Sequence, residues 1–197
     1  MRTEAEALAL VRQHGALTLA SLVTAVVGAP VRGSWWGHEK GGLIFKLATA
    51  LEDGDEVLVV KLVGGKVTFL HRRLWPALAR VVTDAGWRRK RAAGLSTEAR
   101  ALWRRVDRAG ELRFESLPPD ERRSLGAARK ELDGRLLVLS SSEHTESGKH
   151  LPVLRSWKTW VPPDIGAAAS RLTVEQAVTQ LSAAGVSDVG PPGDRRL

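Results

Sequence analysis

Two stretches of this 197-residue chain concentrate side chains that could do chemistry. The first, "GSWWGHEKGG" at residues 33–42, sets Trp35 and Trp36 beside His38 and Lys40 among glycines. Adjacent side chains diverge by about 100° in a helix and face opposite ways in a strand, so one core does not take both indoles. One Trp is expected under the turn and the other partly exposed beside His38 and Lys40, as an aromatic contact surface; the sequence leaves open which. The second stretch, "HTESGKH", flanks Glu146 with His144 and His150. Histidines six apart are not a zinc spacing, and no further ligand accompanies them. The chain has no cysteine, which excludes disulfides and thiolate metal sites. No G-x-S-x-G elbow, phosphate-binding loop or dinucleotide fingerprint is present. The sequence therefore nominates no catalytic residue, no metal site and no cofactor.

The charge points to a polyanionic partner. Net charge is +8 and the sequence pI is near 10.6. Residues 1–86 hold ten Lys/Arg against eight Asp/Glu, residues 87–160 seventeen against ten, and residues 161–197 three against four. The excess sits in the middle of the chain, and a basic segment beside a near-neutral one reads as nucleic-acid binding. Seven Trp with no Tyr and three Phe is an unusual balance, but Trp75, Trp87, Trp103 and Trp157 fit core positions, and no spacing resembles a base-stacking platform. No apolar run approaches the roughly 20 residues of a membrane span. The start "MRTEAEALALVRQHG" has acidic residues where a signal peptide is basic. A cytoplasmic, nucleoid-associated protein with no membrane partner is the expectation.

The elements that must position these groups follow from periodicity. "EAEALALVRQH" predicts a helix ended by Gly15, and "TLASLVTAVVG" a second one capped by Thr18. "GGLIFKLATALED" has helical spacing at Leu43, Ile44, Leu47 and Leu51. "EVLVVKL" and "KVTFLHR" are β-branched runs that read as a hairpin with Gly64 and Gly65 at its tip, and a helix from about Leu74 to Asp84 follows. The second half repeats the plan: a helix in "STEARALWRRVDRAG", a short strand "ELRF", two helices in "LPPDERRSLGAARKELDGR", and strands "LLVLSSSE" and "HLPVLRSW". The expected fold class is α+β, mainly helical. The expected divisions are residues 1–86, a basic linker at 87–95, residues 96–162, and a C-terminal helix with a flexible tail at 163–197.

Helix, short strand or tight turn, helix, turn, helix, hairpin, given twice, resembles the winged-helix form of the helix-turn-helix, in tandem. The resemblance implies two consecutive modules, each with a hairpin wing, binding double-stranded DNA through the third helix and the wing. In the second module it nominates Arg122, Arg123, Arg129, Lys130 and Arg135 around the third helix, and Lys149 and His150 on the wing. Arg88 and Arg89 of the linker join them, and the first module adds Lys40, Lys66, Arg72 and Arg73. Guanidinium groups clamp phosphate oxygens or a guanine edge bidentately. Glu131 and Asp133 stand among these cations and could take some of them in i,i+4 pairs. The first module's third helix is apolar around much of its girth, which suits burial against a second surface better than reading a groove; a homodimer is one way to bury it.

Two other functions compete. Some bacterial DNA glycosylases are built from tandem winged helices, and Trp35, Trp36 and His38 could wall a flipped base. The Gln-x-Gln or Gln-x-Asp motif of those enzymes is missing, since the glutamines are Gln13, Gln176 and Gln180, and enzymatic activity is the weaker expectation. Winged helices also serve as dimerisation or scaffold modules that bind protein alone. The expectation taken forward is a DNA-binding regulator or a repair or nucleoid accessory factor.

Overall fold

The computed structural model describes residues 1–144, 150–186 and 189. The chain is α+β and mainly helical. It divides into two compact units, Met1–Trp75 and Pro76–Val178, with the described C-terminal residues shared between them.

The first unit starts with α1, Glu4–His14, whose N-terminus is closed by a capping box. The Glu6 N–H donates to Thr3 Oγ1 at 3.2 Å, and the Thr3 N–H donates to the Glu6 carboxylate at 3.2 Å. Ala7 and Val11 of α1 are fully buried. The short strand β1, Ala16–Thr18, leads into α2, Leu19–Val27, which Thr18 caps by accepting from the Ser21 N–H. A single 3-10 turn, Trp35–Gly37, precedes α3, Gly41–Asp53. The hairpin strands are β2, Val57–Lys61, and β3, Val67–His71, joined through a turn in which Gly65 adopts φ +70°. Strand β3 lies between β1 and β2, antiparallel to both, with Phe69 opposite Leu17 and Val59. Helices α1, α2 and α3 close a core of Val11, Leu22, Val26, Ile44, Leu47 and Phe69.

The second unit contains most of α4, Trp75–Thr83, and α5, Ala85–Ala92, then α6, Thr97–Ala109. Residues 87–95, expected as a linker, are instead largely helix. Asp84 caps α5 by accepting from the Trp87 N–H at 2.9 Å, and the Arg, Lys and Ala that made the segment look like a connection are good helix formers. Strand β4, Glu111–Arg113, is followed by α7, Pro119–Ser124, and α8, Gly126–Gly134. Then come β5, Leu139–His144, and β6, His150–Arg155. The hairpin tip, residues 145–149, lies outside the described residues. The sheet order is β4-β6-β5, antiparallel, with Leu154 opposite Leu112 and Ser140. Its core is Leu102, Val106, Leu112, Phe114, Leu132, Leu137 and Leu154. Three further helices follow: α9, Trp157–Trp160, α10, Pro163–Ala169, and α11, Val174–Ala183.

The two units therefore repeat one plan. Each contains the run helix, strand, helix, helix, hairpin, and in each the last hairpin strand is the central one. The likeness extends to single residues. Gly15 (φ +78°) ends α1 and Gly110 (φ +80°) ends α6, each with its N–H on the carbonyl four residues back. Each glycine carbonyl then accepts the N–H of the residue that follows the central strand's pairing with the first strand, His71 at 2.8 Å and Ser156 at 2.7 Å. A positive φ at this corner turns the chain from helix into strand, and a side chain there would be strained.

Candidate nucleic-acid interface

In the second unit, α6 packs on α8, and α7 precedes α8 across a single residue, Leu125. Arg123 and Lys130 are exposed, and Arg122 is half-buried. None of the three forms an ion pair among the described residues. The guanidinium of Arg129 lies 5.8 Å over the Phe114 ring. Arg135 is turned inward: it pairs with Glu131 at 3.2 Å and donates to the carbonyls of Arg91, Ala93 and Gly94. It thus holds the turn between α5 and α6, and its donors are spent on backbone. Glu131 also accepts from the Ser96 hydroxyl at 2.7 Å, so the i,i+4 competition expected from its position occurs at Arg135.

Arg88 differs most from its expected role. It is 8% exposed, lies 5.0 Å over the Trp103 ring, and donates to Asp107 at 2.7 Å. Asp107 also accepts from Ser156 Oγ at 2.8 Å and Lys158 Nζ at 3.1 Å. Burial alone would raise the Asp107 pKa, but the hydrogen bonds from Ser156, Arg88 and Lys158 outweigh it and hold the carboxyl below its ordinary value. Its neighbour Arg89 is exposed, one residue round the helix. Lys149 lies outside the described residues, and His150 is described only as backbone, paired with His144.

The sequence reading missed a row of cations on α6. Arg100, Arg104 and Arg108 are spaced by four, share one face and are exposed. Arg105 pairs with Glu121, linking α6 to α7. The i,i+4,i+8 spacing was present in the sequence, but the apolar stripe of Ala99, Leu102, Trp103 and Val106 drew the reading of this helix.

In the first unit most nominated cations hold the fold together. Lys40 Nζ donates to the carbonyls of Val26 and Val27, at 3.2 and 3.3 Å, capping the C-terminus of α2. Arg73 donates to the Gln13 carbonyl at 3.3 Å near the end of α1, and Arg72 lies 5.3 Å over the Trp75 ring. Lys66 is exposed at the hairpin. Glu56 carries the local ion cluster. It accepts from Arg12, His71 Nε2 lies 3.4 Å away, and the hydrogen bond from Arg12 chiefly lowers its pKa.

The aromatic turn is resolved residue by residue. Ser34 caps it, accepting from the Trp36 N–H. The indoles of Trp35 and Trp36 stack, centroids 4.2 Å apart and planes 21° from parallel. Trp35 packs on the core, whereas Trp36 is 64% exposed and meets Phe45 of α3, itself 41% exposed, at 5.7 Å. His38 Nδ1 accepts from the Lys40 N–H at 3.1 Å. Gly41 opens α3 directly beneath, where a Cβ would stand 3.0 Å from the Trp36 carbonyl oxygen. The face of α3 expected to be covered thus leaves Phe45 and Trp36 in the open.

No known family, curated protein or solved structure matches this chain. Among the described residues no three His, Asp or Glu side chains are grouped as metal ligands, and no helix is long and apolar enough to cross a membrane.

Proposed function

We propose that the chain is a tandem winged-helix protein that binds double-stranded DNA at the nucleoid, as a regulator or as a repair or nucleoid accessory factor. The supporting observation is the plan given twice, helix-strand-helix-helix-hairpin with the same sheet order, in a chain whose excess positive charge falls in residues 87–160, on α5 and the second copy. There Arg122, Arg123 and Lys130 of α7 and α8 are available for a phosphate backbone, with Arg129 beside them. Arg100, Arg104 and Arg108 of α6 add a second exposed cationic row outside the helix that the resemblance nominates. The test is a salt titration of duplex binding. Affinity is expected to fall steeply as salt rises, because each neutralised phosphate releases counterions. Arg122→Ala/Arg123→Ala/Arg129→Ala is expected to weaken binding about equally on unrelated sequences and to flatten the salt dependence. A triple variant that binds like the wild type at every salt concentration removes α7 and α8 from the interface.

The exposed stack of Trp36 on Trp35 supports a second reading, a glycosylase-like enzyme that holds a flipped base against Trp36. Incubation with duplexes that carry damaged bases, followed by a search for base release or strand nicking, decides it.

A further inference from the structure

The second unit contains a groove between α5 and α6, about 580 Å³ in volume, with Arg88, Arg89, Arg100, Trp103 and Asp107 around it and small alanines between them. Its charge is one-sided. Three guanidinium groups face it against one carboxylate, and that carboxylate is already taken by Arg88, Ser156 and Lys158. Arg89 and Arg100 are exposed at the sides; Arg100 is anchored to the α5 end through the Ala92 carbonyl. Two buried N–H donors among these residues, Arg88 Nε and Trp103 Nε1, have no acceptor. Buried donors nearly always find a partner, and an orphaned pair beside one groove marks a place where an acceptor is missing.

The chemistry of the missing partner follows from the groups present. It must be anionic, because Arg88 is matched by Asp107 while Arg89 and Arg100 bring positive charge to the groove without a paired carboxylate. It must bring several acceptor oxygens, because the donors come from both helices and from both exposed and buried positions. An apolar ring is a poor fit, since the face of Trp103 is covered by the Arg88 guanidinium. A phosphate group meets these demands: its oxygens accept from guanidinium forks bidentately and reach more than one of them at once. The volume also lies within the range of ordinary small-ligand sites.

We propose that the α5–α6 groove binds a phosphate group, carried either by a nucleic-acid backbone or by a small phosphorylated molecule. The site does not depend on the winged-helix reading, because the charge and donors of α5 and α6 are there whatever the plan of the unit is called. Arg89 and Arg100 grip the phosphate oxygens from the two sides, and the Trp103 indole in the groove wall senses its arrival.

The test uses the full chain. Indole N–H resonances are followed by NMR, with Trp103 assigned through Trp103→Phe, while inorganic pyrophosphate or a short DNA duplex is added. The comparison is Arg89→Ala/Arg100→Ala, two exposed side chains whose loss leaves the core intact, checked by an unchanged near-ultraviolet circular dichroism spectrum. A downfield move of Trp103 with pyrophosphate, and at least about a tenfold loss of pyrophosphate affinity in the double variant, assigns the groove to free phosphate. A move with duplex alone, with the same loss of duplex affinity, assigns it to the backbone. If the Trp103 resonance stays in place with both probes, or the double variant binds them as the wild type does, the proposal is wrong. Binding of pyrophosphate without any binding of duplex supports the groove and removes the DNA-binding function, so the two fail separately.

Discussion

At the scale of single residues, the Trp35–Trp36 pair shows how neighbours in sequence acquire opposite roles. A 3-10 turn capped by Ser34 brings both indoles to one side, where they stack, and only the inner one reaches the core. Trp35→Ala is expected to cost about 2–3 kcal/mol of stability, because it opens a cavity at the edge of the first unit's core and removes the support of its neighbour. Trp36→Ala removes an exposed plate and is expected to cost about 1 kcal/mol or less, the worth of its aromatic contacts. If the plate touches nucleic acid, Trp36→Ala weakens duplex binding while the urea midpoint stays near wild type. Urea unfolding and a binding isotherm on both variants separate the structural from the contacting indole.

At the scale of elements, the helix-to-strand corners at Gly15 and Gly110 decide how each sheet meets its first helix. The Gly110 corner has both a positive φ and no room: a Cβ there would stand 2.9 Å from the Thr159 methyl group. Gly110→Ala is expected to destabilise the chain by about 1–3 kcal/mol, from backbone strain with the clash added. Gly126→Ala is the contrast, since that glycine opens α8 at an ordinary φ with open space around it. It is expected to be neutral or to stabilise by up to about 1 kcal/mol through helix propensity. Thermal melts of the two variants measure the difference. The same elements explain why the basic segment 87–95 did not read as helix. Its apolar content is low, and what fixes it is the Asp84 cap, the Trp87 indole donating to the Val189 carbonyl, and Arg135 closing its last turn. Two of these three contacts reach residues far along the chain.

At the scale of the whole molecule, cations outnumber carboxylates, and the carboxylates that hold structure are tied to donors. The Arg12 hydrogen bond lowers the pKa of Glu56, the Arg155 hydrogen bond that of Glu111, and the Trp87 backbone N–H that of Asp84, while Asp107 is lowered by three partners against its own burial. Each folded-state pKa lies below its unfolded value of about 3.9 for Asp or 4.3 for Glu. The stability these groups contribute is therefore complete above that range and is lost as pH falls through it, because the unfolded chain binds protons first. Urea midpoints are expected to hold steady from neutral pH down to about 5 and to drop below about 4. Added salt is expected to soften the part of the drop that comes from exposed pairs such as Arg12–Glu56, and to affect the Arg88–Asp107 pair less. A midpoint that rises between pH 5 and pH 3 would contradict this sign.

What the sequence by itself determined is the order of elements within each copy of the repeated plan. The helical spacing at Ile44, Leu47 and Leu51, the glycines at 15 and 110, and the β-branched runs around Gly65 are local signals, written within a few residues of the structure they specify. It also placed the excess charge in the middle of the chain, residues 87–160. Only the tertiary structure decided which charges are available. Arg88, Arg135, Lys40 and Arg73 look like surface cations in sequence, yet each is spent on a carbonyl or carboxylate that is often distant along the chain. Arg100, Arg104 and Arg108 went unmarked and emerge on one open face. The same holds for the tryptophans: composition announces an aromatic turn, and three-dimensional packing chooses Trp36 as its exposed member. Local propensity acts over a turn of helix or a pair of strands. The commitment of a side chain depends on which acceptors folding brings within hydrogen-bond distance, and no local pattern encodes that.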